Sequence, residues 1–308
     1  MNLNDSGVPV CSRCTEPAVV YQRNTGYHFC GVHFAADIES RVADTINHRR
    51  MIIPGDRVAV ALSGGKDSTA LLLVLVSLLP LWQDVKLIAI TIDEGIAGYR
   101  ESTIGAAEQL TGRLGIEHHC ISFPDLFGDS LDVILKGRET QACSICGILR
   151  RKALVVGACQ VGATKLATGH NLDDEAQSVL MNVLRGDLPR LVRNSGADSS
   201  GKFIPRIKPL SRIPEKEIAT YLMLKNAWNE LPECPYTRYA LRREVRSMLS
   251  DFEYKHPGTM LNLMASKDKI EQSCTCTAIS PLRSCRTCGD PSSGDLCQVC
   301  SLLHSQER

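Results

Sequence analysis

A tight Gly-Gly turn between two apolar runs is the feature that most constrains how this chain can fold. The first run, residues 58–62, reads Val-Ala-Val-Ala-Leu, and the second occupies residues 69–79. This order predicts a buried strand that leads directly into a helix. Such a junction points backbone N–H groups and the positive helix end into one small space, and the glycines let an anion approach closely. The sequence therefore predicts an α/β protein with a phosphate site at residues 63–68.

The polar residues of this turn favour a nucleotide site over an ordinary glycine turn, which is the alternative. The spacing of a Walker A loop is absent. Ser-Gly-Gly-x-Asp-Ser instead resembles the PP-loop of the N-type ATP pyrophosphatases, which cleave ATP to AMP and pyrophosphate. The resemblance implies that ATP binds here with Mg²⁺. The predicted nucleotide contacts in this stretch are Ala61, Ser63, Gly64, Gly65, Lys66, Asp67 and Ser68.

Length and composition indicate one large α/β domain with smaller attachments. The chain has 308 residues, of which 44% are hydrophobic. No apolar run approaches the roughly 18–20 residues that span a bilayer, and the polar N-terminus lacks the apolar segment of a signal peptide. We therefore expect a cytoplasmic protein without membrane contact. The net charge is only +1, so a polyanion would have to bind to a local basic patch.

Most of the fourteen cysteines fall in Cys-x-x-Cys pairs, which in a long α/β chain favour metal binding over disulfides. Two sets of four ligands have the spacing of tetrahedral zinc, and a closed set leaves no open position for chemistry. We therefore predict two structural zinc sites. The N-terminal set is Cys11, Cys14, Cys30 and His33, and the C-terminal set is Cys285, Cys288, Cys297 and Cys300. Cys120 and Cys159 lie in predicted strand or helix, where we expect buried thiols.

A further pair, Cys143 and Cys146, precedes a helix predicted from about residue 148. A lone pair of this kind is ambiguous between a metal site, a redox dithiol and chance. Cys234 lies far along the chain in the rigid setting Pro-Glu-Cys-Pro and is a candidate third thiol. Three thiolates would hold a 4Fe-4S cluster and leave its fourth iron open to an exogenous ligand.

Alternating strands and helices predict an open parallel sheet with helices on both faces. The predicted strands are residues 58–62, 86–92, 117–123 and 165–168. Ligands of such sheets bind at the carboxyl ends of the strands, which places Asp93, Gly169 and His170 beside the Ser63 turn. Asp93 is equally well explained as a turn or helix cap.

Two acidic residues, Asp173 and Asp174, precede a helix predicted for residues 176–184. Asn and Asp are natural N-caps, which is the alternative explanation for Asp173. We assign Asp174 to the junction of ATP and substrate, where a carboxylate can bind Mg²⁺ or handle a proton.

Residues 185–216 carry eight Lys or Arg against three acidic residues, and a second basic run follows on a helix predicted from near residue 239. Binding of a phosphate backbone explains such segments, with a merely solvated loop as the alternative. The cations of the first run are Arg185, Arg190, Arg193, Lys202, Arg206, Lys208, Arg212 and Lys216, and those of the second are Arg238, Arg242, Arg243 and Arg246.

Together these motifs resemble the TtuA/NcsA family of tRNA 2-thiouridine synthetases over nearly the whole chain. The resemblance implies that Cys143, Cys146 and Cys234 hold a 4Fe-4S cluster and that Asp174 and Arg150 are catalytic. Some relatives carry lysine in place of Arg150. The lysine ammonium group is a compact charge, whereas the arginine guanidinium group is planar and donates several hydrogen bonds. The implied reaction is adenylation of a uridine C2 oxygen, which sulfur then replaces. The implied partners are tRNA, a second copy of the chain and a sulfur donor, either a thiocarboxylated ubiquitin-like carrier or sulfide.

The expected domains are a zinc finger with a linker helix at residues 1–49, a catalytic PP-loop domain at residues 50–272 and a zinc ribbon at residues 273–308. The linker helix is predicted from Asp37 to about Asn47. The alternatives are another PP-loop tRNA-modifying enzyme, such as a 2-thiocytidine synthetase, and a noncatalytic zinc-bearing RNA adaptor. Wobble and T-loop uridines are both targets within the family, and the sequence leaves this choice open. It also assigns no role to Cys274 and Cys276.

Overall fold

The computed structural model describes residues 8–191, 204–236, 242–273 and 283–304. The strands are β1 Val20–Gln22, β2 Tyr27–Phe29, β3 Arg57–Ala61, β4 Lys86–Asp93, β5 Glu117–Ser122, β6 Lys165–Ala167, β7 Arg206–Ile207, β8 Arg283–Ser284 and β9 Pro291–Ser292. The helices are α1 Gly31–His48, α2 Lys66–Leu78, α3 Arg100–Leu114, α4 Phe123–Phe127, α5 Leu131–Ile134, α6 Ala142–Gln160, α7 Leu172–Leu184, α8 Leu188–Leu191, α9 Glu215–Leu224, α10 Arg242–Lys255, α11 Thr259–Ser273 and α12 Gln298–His304.

A parallel sheet of five strands, in the order β5-β4-β3-β6-β7, forms the centre of the described structure. Alternate residues of β3 face two different cores: Val58 and Val60 pack in one, and Ala59 packs in the other. Helices therefore cover both faces, which is why the central strands read as continuous apolar runs. The predicted open parallel sheet is confirmed. The two-residue strand β7 was missed, because it is too short to show a hydrophobic period.

The strand order creates a switch point next to β3. After β3 the chain adds β4 and β5 on one side of it, and then crosses to place β6 and β7 on the other side. The turns that follow β3 and β6 therefore leave the sheet in opposite directions and open a crevice between them. Residues 63–65 and 168–171 border this crevice.

Three helices begin earlier than the sequence predicts. Helix α6 begins at Ala142 rather than near residue 148, so Cys143 and Cys146 lie on its first turns. Helix α1 begins at Gly31 rather than at Asp37, and its N-cap is Cys30. Helix α7 begins at Leu172, with an asparagine as its cap. In each case the buried positions continue into the first turn, as with Ala142, Ile145 and Leu149 in α6, but ligand or capping residues lie between them and make this turn resemble a loop in the sequence.

The N-terminal segment shares its core with the sheet. Phe29 and Phe34 are fully buried in the cluster that also contains Leu71 and Leu75 of α2. Helix α1 is tied to α9 by a contact of Arg41 with Glu217 and by a 2.9 Å hydrogen bond from the Tyr221 hydroxyl to Glu39. The finger therefore supports the helix on which Glu217 lies.

The C-terminal segment packs against α6, the helix that carries two of the candidate cluster thiols. Val299 and Leu302 of α12 pack against the core on that face of the sheet. Lys152 Nζ of α6 lies 2.5 Å from Asp290 Oδ2.

Cys120 and Cys159 are exposed, so the prediction that they are buried is wrong. Cys120 lies on β5, which is an edge strand with no fully buried residue. Cys159 follows the buried Ala158 near the end of α6, and consecutive helix positions point about 100° apart, so Cys159 turns away from the buried face. None of the helices in the described ranges is long and apolar enough to cross a membrane.

Candidate active site at the carboxyl ends of the strands

The turn after β3 has the geometry of an anion cradle. Gly64 has φ +84°, and a Cβ there would lie 2.1 Å from the carbonyl oxygen of Thr103, so only glycine fits. Ser68 Oγ accepts the Ser63 N–H at 3.1 Å and donates to the Gly65 carbonyl at 2.9 Å. Gly65 is the N-cap of α2 and makes no side-chain capping bond. The first-turn N–H groups of α2 therefore face the crevice as donors for a phosphate.

Lys66 is held between two carboxylates. Its Nζ lies 2.7 Å from Asp67 Oδ2 and 2.8 Å from Glu215 Oε1 of α9. Burial alone would lower the pKa of Lys66, but the hydrogen bonds to Asp67 and Glu215 outweigh it and raise the pKa. Lys66 is therefore charged at neutral pH and fixed at the mouth of the turn. The sequence gives no signal for Glu215, because it lies about 150 residues away from Lys66.

The turn after β6 packs directly against the turn after β3. A Cβ at Gly169 would lie 2.9 Å from the backbone carbonyl carbon of Asp67, so a larger residue would force the two segments apart. Asn171 Nδ2 donates to Asp67 Oδ1 at 3.0 Å. The structure thus brings together the predicted residues of both turns, and it adds Asn171 as a bridge between them.

Asp173 and Asp174, on the first turn of α7, both have structural partners. Asn171 is the N-cap and forms a capping box with Asp174, whose backbone N–H donates to Asn171 Oδ1 at 3.0 Å. Asp173 does not cap its own helix: its Oδ2 accepts the Glu215 N–H at 2.8 Å and so caps α9. The capping box fixes the Asp174 carboxylate beside Asn171 at the crevice. A catalytic role for Asp174 stays a prediction.

Two further predicted nucleotide contacts, His170 and Asp93, lie at the same edge of the sheet. His170 Nδ1 lies 2.9 Å from the Thr168 hydroxyl, and burial followed by the charge of Lys208 lowers the pKa of the imidazole. The ring is therefore neutral at pH 7. Asp93 Oδ1 accepts the Gly95 N–H at 2.9 Å, which is the turn-capping role that the sequence left open.

The three candidate cluster thiols converge on one side of the crevice. Cys143 and Cys146 lie three residues apart on α6, and Cys234 packs against the core that contains Cys146. Cys143 Sγ lies 3.7 Å from the carbonyl oxygen of Tyr236, two residues beyond Cys234. Burial raises the pKa of the Cys146 thiol to about 11, against the opposing effect of the Arg150 charge.

These three sulfurs are less closely spaced than the ligand atoms of the two terminal quartets. Within the described ranges, only the two quartets bring three or more metal-ligating atoms within 4.8 Å of one another. A tetrahedral zinc with bonds of about 2.3 Å holds its sulfurs about 3.8 Å apart. In a cluster each thiolate binds a different iron, so the sulfurs lie farther apart. The trio therefore lacks the close spacing of a single-ion site, and its assignment to a cluster stays a prediction.

A buried carboxylate links the thiols to the turn after β3. Glu94, whose side chain is 2% exposed, lies 2.5 Å from Arg150 Nε and 2.8 Å from Arg100 Nε. Arg150 also donates to Cys146 Sγ at 3.2 Å, and Arg100 donates to the Ser63 carbonyl at 3.4 Å. A cavity of about 50 Å³ lies between these side chains. Sequence reasoning missed Glu94 and Arg100, although a charged residue directly after a buried strand was a usable signal.

Both terminal quartets have the dimensions of a zinc site. Cys14 Sγ and Cys30 Sγ lie 3.8 Å apart, and Cys30 Sγ lies 3.3 Å from His33 Nδ1. In the C-terminal quartet, Cys288 Sγ and Cys297 Sγ lie 3.6 Å apart. Backbone N–H groups of Cys288 and Cys297 lower the pKa of Cys285 to about 6, which favours the thiolate that a metal requires.

The predicted basic surface is only partly available to a ligand. Arg246 lies 2.7 Å from Glu215 Oε2, Lys208 lies 2.6 Å from Glu175 Oε1, and Arg212 contacts Asp268. Arg190 lies 3.2 Å from Asp187. Arg193, Lys202, Arg238, Cys274 and Cys276 lie outside the described residues, as do the predicted loop at residues 194–202 and the side chains of Arg242 and Arg243.

Comparison with known proteins agrees with this geometry. A PP-loop domain family matches residues 34–249, and the N-terminal LIM domain of 2-thiouridine synthetase TtuA matches residues 10–35. The tRNA 2-thiolation protein NcsA of Haloferax volcanii is 37% identical over 321 residues, which cover 96% of this chain and 99% of that protein. The chain belongs to this family of PP-loop tRNA 2-thiolation proteins. The predicted family is confirmed.

Other members of the PP-loop tRNA 2-thiolation family are similar over the same extent. Cytoplasmic tRNA 2-thiolation protein 1 of Bos taurus is 37% identical over 97% of this chain and 88% of its own length. The solved structure of the U34-tRNA thiolase NcsA from Methanococcus maripaludis, which contains a 4Fe-4S cluster, has a TM-score of 0.85 at 32% identity and covers 96% of both chains. The roles of individual residues in this chain stay predictions.

Proposed function

We propose that this protein is an ATP-dependent tRNA 2-thiolation enzyme, which replaces the C2 oxygen of a uridine with sulfur. The observation that carries the proposal is the link from the Ser63 turn through Arg100, Glu94 and Arg150 to Cys146. This link connects the Ser63 turn, to which we assign adenylation, with the thiol site in the same crevice. The similar archaeal NcsA is a U34-tRNA thiolase with a 4Fe-4S cluster.

The first half of the reaction uses the turn after β3. The uridine C2 oxygen attacks the α-phosphorus of ATP, the bond to the bridging oxygen breaks, and pyrophosphate leaves. The loop amides and Lys66 stabilise the charge of the departing pyrophosphate. We assign Mg²⁺ to the carboxylates of Asp67 and Asp174, since hard cations prefer oxygen ligands. Ala61, Asp93, Gly169 and His170 complete the predicted nucleotide contacts.

The second half uses the thiol site. Cys143, Cys146 and Cys234 would hold the 4Fe-4S cluster, which supplies one iron without a protein ligand as a site for sulfide. Arg150 places a positive charge 3.2 Å from Cys146 Sγ. The incoming sulfur forms a bond to C2, the bond from C2 to the adenylated oxygen breaks, and AMP leaves. Because one crevice holds both sites, the adenylate does not have to diffuse.

The two terminal quartets serve as structural zinc sites in this proposal. They flank the catalytic domain, which we assign to residues 50–272. The finger is assigned to residues 1–49 and the ribbon to residues 273–308. Helix α1 of the finger packs on α9, whose Glu215 holds Lys66. The ribbon packs on α6, which carries Cys143 and Cys146. Each zinc module thus supports a helix that positions one half of the site.

We also propose tRNA, a sulfur donor and a second copy of the chain as partners. The donor is a thiocarboxylated ubiquitin-like carrier or sulfide. A cytoplasmic location agrees with the name of the bovine relative. The proposal is tested by anaerobic purification, analysis of iron, sulfide and zinc, and mass spectrometry of tRNA nucleosides after reaction with ATP and sulfide. Iron-loaded protein that makes no 2-thiouridine would contradict it.

Lys66→Ala should slow pyrophosphate release by about 10²–10³-fold, because loss of one preorganised charge at a developing anion has effects of this size. Iron content should not change, since Lys66 contacts none of the thiols. The measurement is tRNA-dependent pyrophosphate release, with Lys136→Ala, an exposed lysine, as the control. Equal rates for the two variants would remove Lys66 from the adenylation step.

Cys11→Ser should release one equivalent of zinc and lower the melting temperature, because Cys11 and Cys30 are buried in the core that contains Phe29. Cys120→Ser, at an exposed thiol, is the matched control. Metal analysis and thermal unfolding provide both readouts without an activity assay. Unchanged zinc content in Cys11→Ser would contradict the assignment.

A further inference from the structure

A basic groove of about 550 Å³ lies along the edge strand β7. The residues after α1, among them Arg49 and Arg50, line one part of it, and α11 lines another. Lys165 at the start of β6 and Arg206 of β7 also line it. Four segments that are far apart in sequence therefore contribute cations to one surface. The two basic runs in the sequence did not indicate that these four segments form one surface.

The groove concentrates positive charge in a chain that is close to neutral. Six Lys and Arg residues line it against three carboxylates, an excess of three, whereas the whole chain has a net charge of only +1. The cations are Arg49, Arg50, Lys165, Arg206, Lys208 and Lys267, and the carboxylates belong to Glu175, Asp268 and Glu271. A concave surface lined by one sign of charge focuses the field and attracts polyanions.

Three of the cations are paired and three are not. Arg49 lies 2.7 Å from Asp268, Lys208 lies 2.6 Å from Glu175, and Lys267 contacts Glu271. Arg50, Lys165 and Arg206 make no ion pair with any residue that the structure describes. Burial and the charge of Arg206 lower the pKa of the neighbouring Arg151, so like charges lie close together here. Such an arrangement is stabilised when an anion binds.

The groove leads toward the candidate active site. Glu175 and Lys208 line the groove, and both influence the charge of His170 in the turn after β6. Lys165 lies four residues before Gly169, a distance of about 13 Å along an extended chain. One molecule bound in the groove can therefore also reach the crevice.

We propose that this groove binds the phosphodiester backbone of the RNA substrate and directs the target uridine toward the Ser63 turn. That the bound RNA is tRNA rests on the proposed function. The groove itself is defined by the charged residues that line it and by its position along β7. A backbone of regularly spaced phosphates matches a groove whose unpaired cations come from several elements. Backbone contacts carry no sequence information, so the groove orients the RNA and does not select the base.

The test compares two double variants of the full-length protein. Lys165→Ala with Arg206→Ala removes two groove cations, and Lys86→Ala with Arg113→Ala removes two exposed cations elsewhere. Lys86 is a close match for Lys165, because each is the first residue of a parallel strand. The groove variant should bind tRNA about tenfold more weakly at 0.1 M salt, with a salt dependence reduced by one to two units of slope. ATP affinity and iron content should match those of the unsubstituted protein.

Equal tRNA affinity and equal salt slope in the two double variants would overturn the inference. Equal weakening by both variants would also overturn it, because the effect would then come from net charge alone. A groove that binds an acidic protein segment instead would leave tRNA affinity unchanged. If the unsubstituted protein binds tRNA through the groove and makes no 2-thiouridine, the proposed function fails and the groove assignment stands.

Discussion

Cys146→Ala should abolish tRNA thiolation and leave ATP binding unchanged. Cys146 is buried on the first turns of α6, and its thiol is linked to the Ser63 turn through Arg150, Glu94 and Arg100. A cluster that loses one of three thiolates has two irons without a protein ligand and is no longer held firmly. The Ser63 turn keeps its own hydrogen bonds, so the nucleotide site is retained. The measurements are iron and sulfide content, 2-thiouridine yield and ATP affinity under anaerobic conditions.

The same result is expected for Cys143→Ala and Cys234→Ala. The chain offers two matched controls, because Cys120 and Cys159 are exposed thiols outside the trio. Alanine at either control position should leave iron content and thiolation unchanged. Full thiolation by any one variant of the trio would remove that thiol from the site. Loss of activity in the controls as well would indicate a general sensitivity to cysteine replacement.

Glu94→Gln should destabilise the protein and disconnect the two halves of the site. The Glu94 and Arg100 side chains are 2% and 5% exposed and lie 2.8 Å apart. Breaking a buried ion pair leaves an uncompensated charge and costs on the order of 3–5 kcal/mol in the free energy of unfolding. Arg100 also donates to the carbonyls of Ser63 and Ile92, so its displacement should weaken ATP binding. Denaturant unfolding and calorimetric titration with ATP measure the two effects.

A conservative change at the same position separates positioning from stability. Glu94→Asp keeps the negative charge but shortens the side chain by one methylene, so it should recover much of the stability without recovering thiolation. Glu117→Gln is the control, because Glu117 is an exposed carboxylate whose partners are His119 at 2.7 Å and Arg57 at 3.7 Å, and such exposed pairs contribute little. Wild-type stability and ATP affinity in Glu94→Gln would show that the link has no role.

The elements with strong local patterns could be predicted from the sequence. The apolar runs that became β3 and β4 and the ligand spacing of the two quartets are properties of neighbouring residues. The glycine turn at residues 63–65 was recognised for the same reason. Two predictions failed for different reasons. Helix α6 starts six residues before the predicted position because its first turns carry the ligand-type residues Cys143 and Cys146, which resemble a loop in the sequence. Cys120 is exposed because β5 is an edge strand.

The sequence by itself determined the family, the parallel sheet, and the residues of the glycine turn and of the candidate metal sites. Only the tertiary structure decided that Glu215 holds Lys66, that Glu94 joins Arg100 to Arg150, and that Lys165 and Arg206 share one groove. Local structure depends on residues within a few positions of one another, whose pattern is visible in the sequence. Contacts between distant residues depend on strand order and helix packing, which bring together side chains that have no pattern in common.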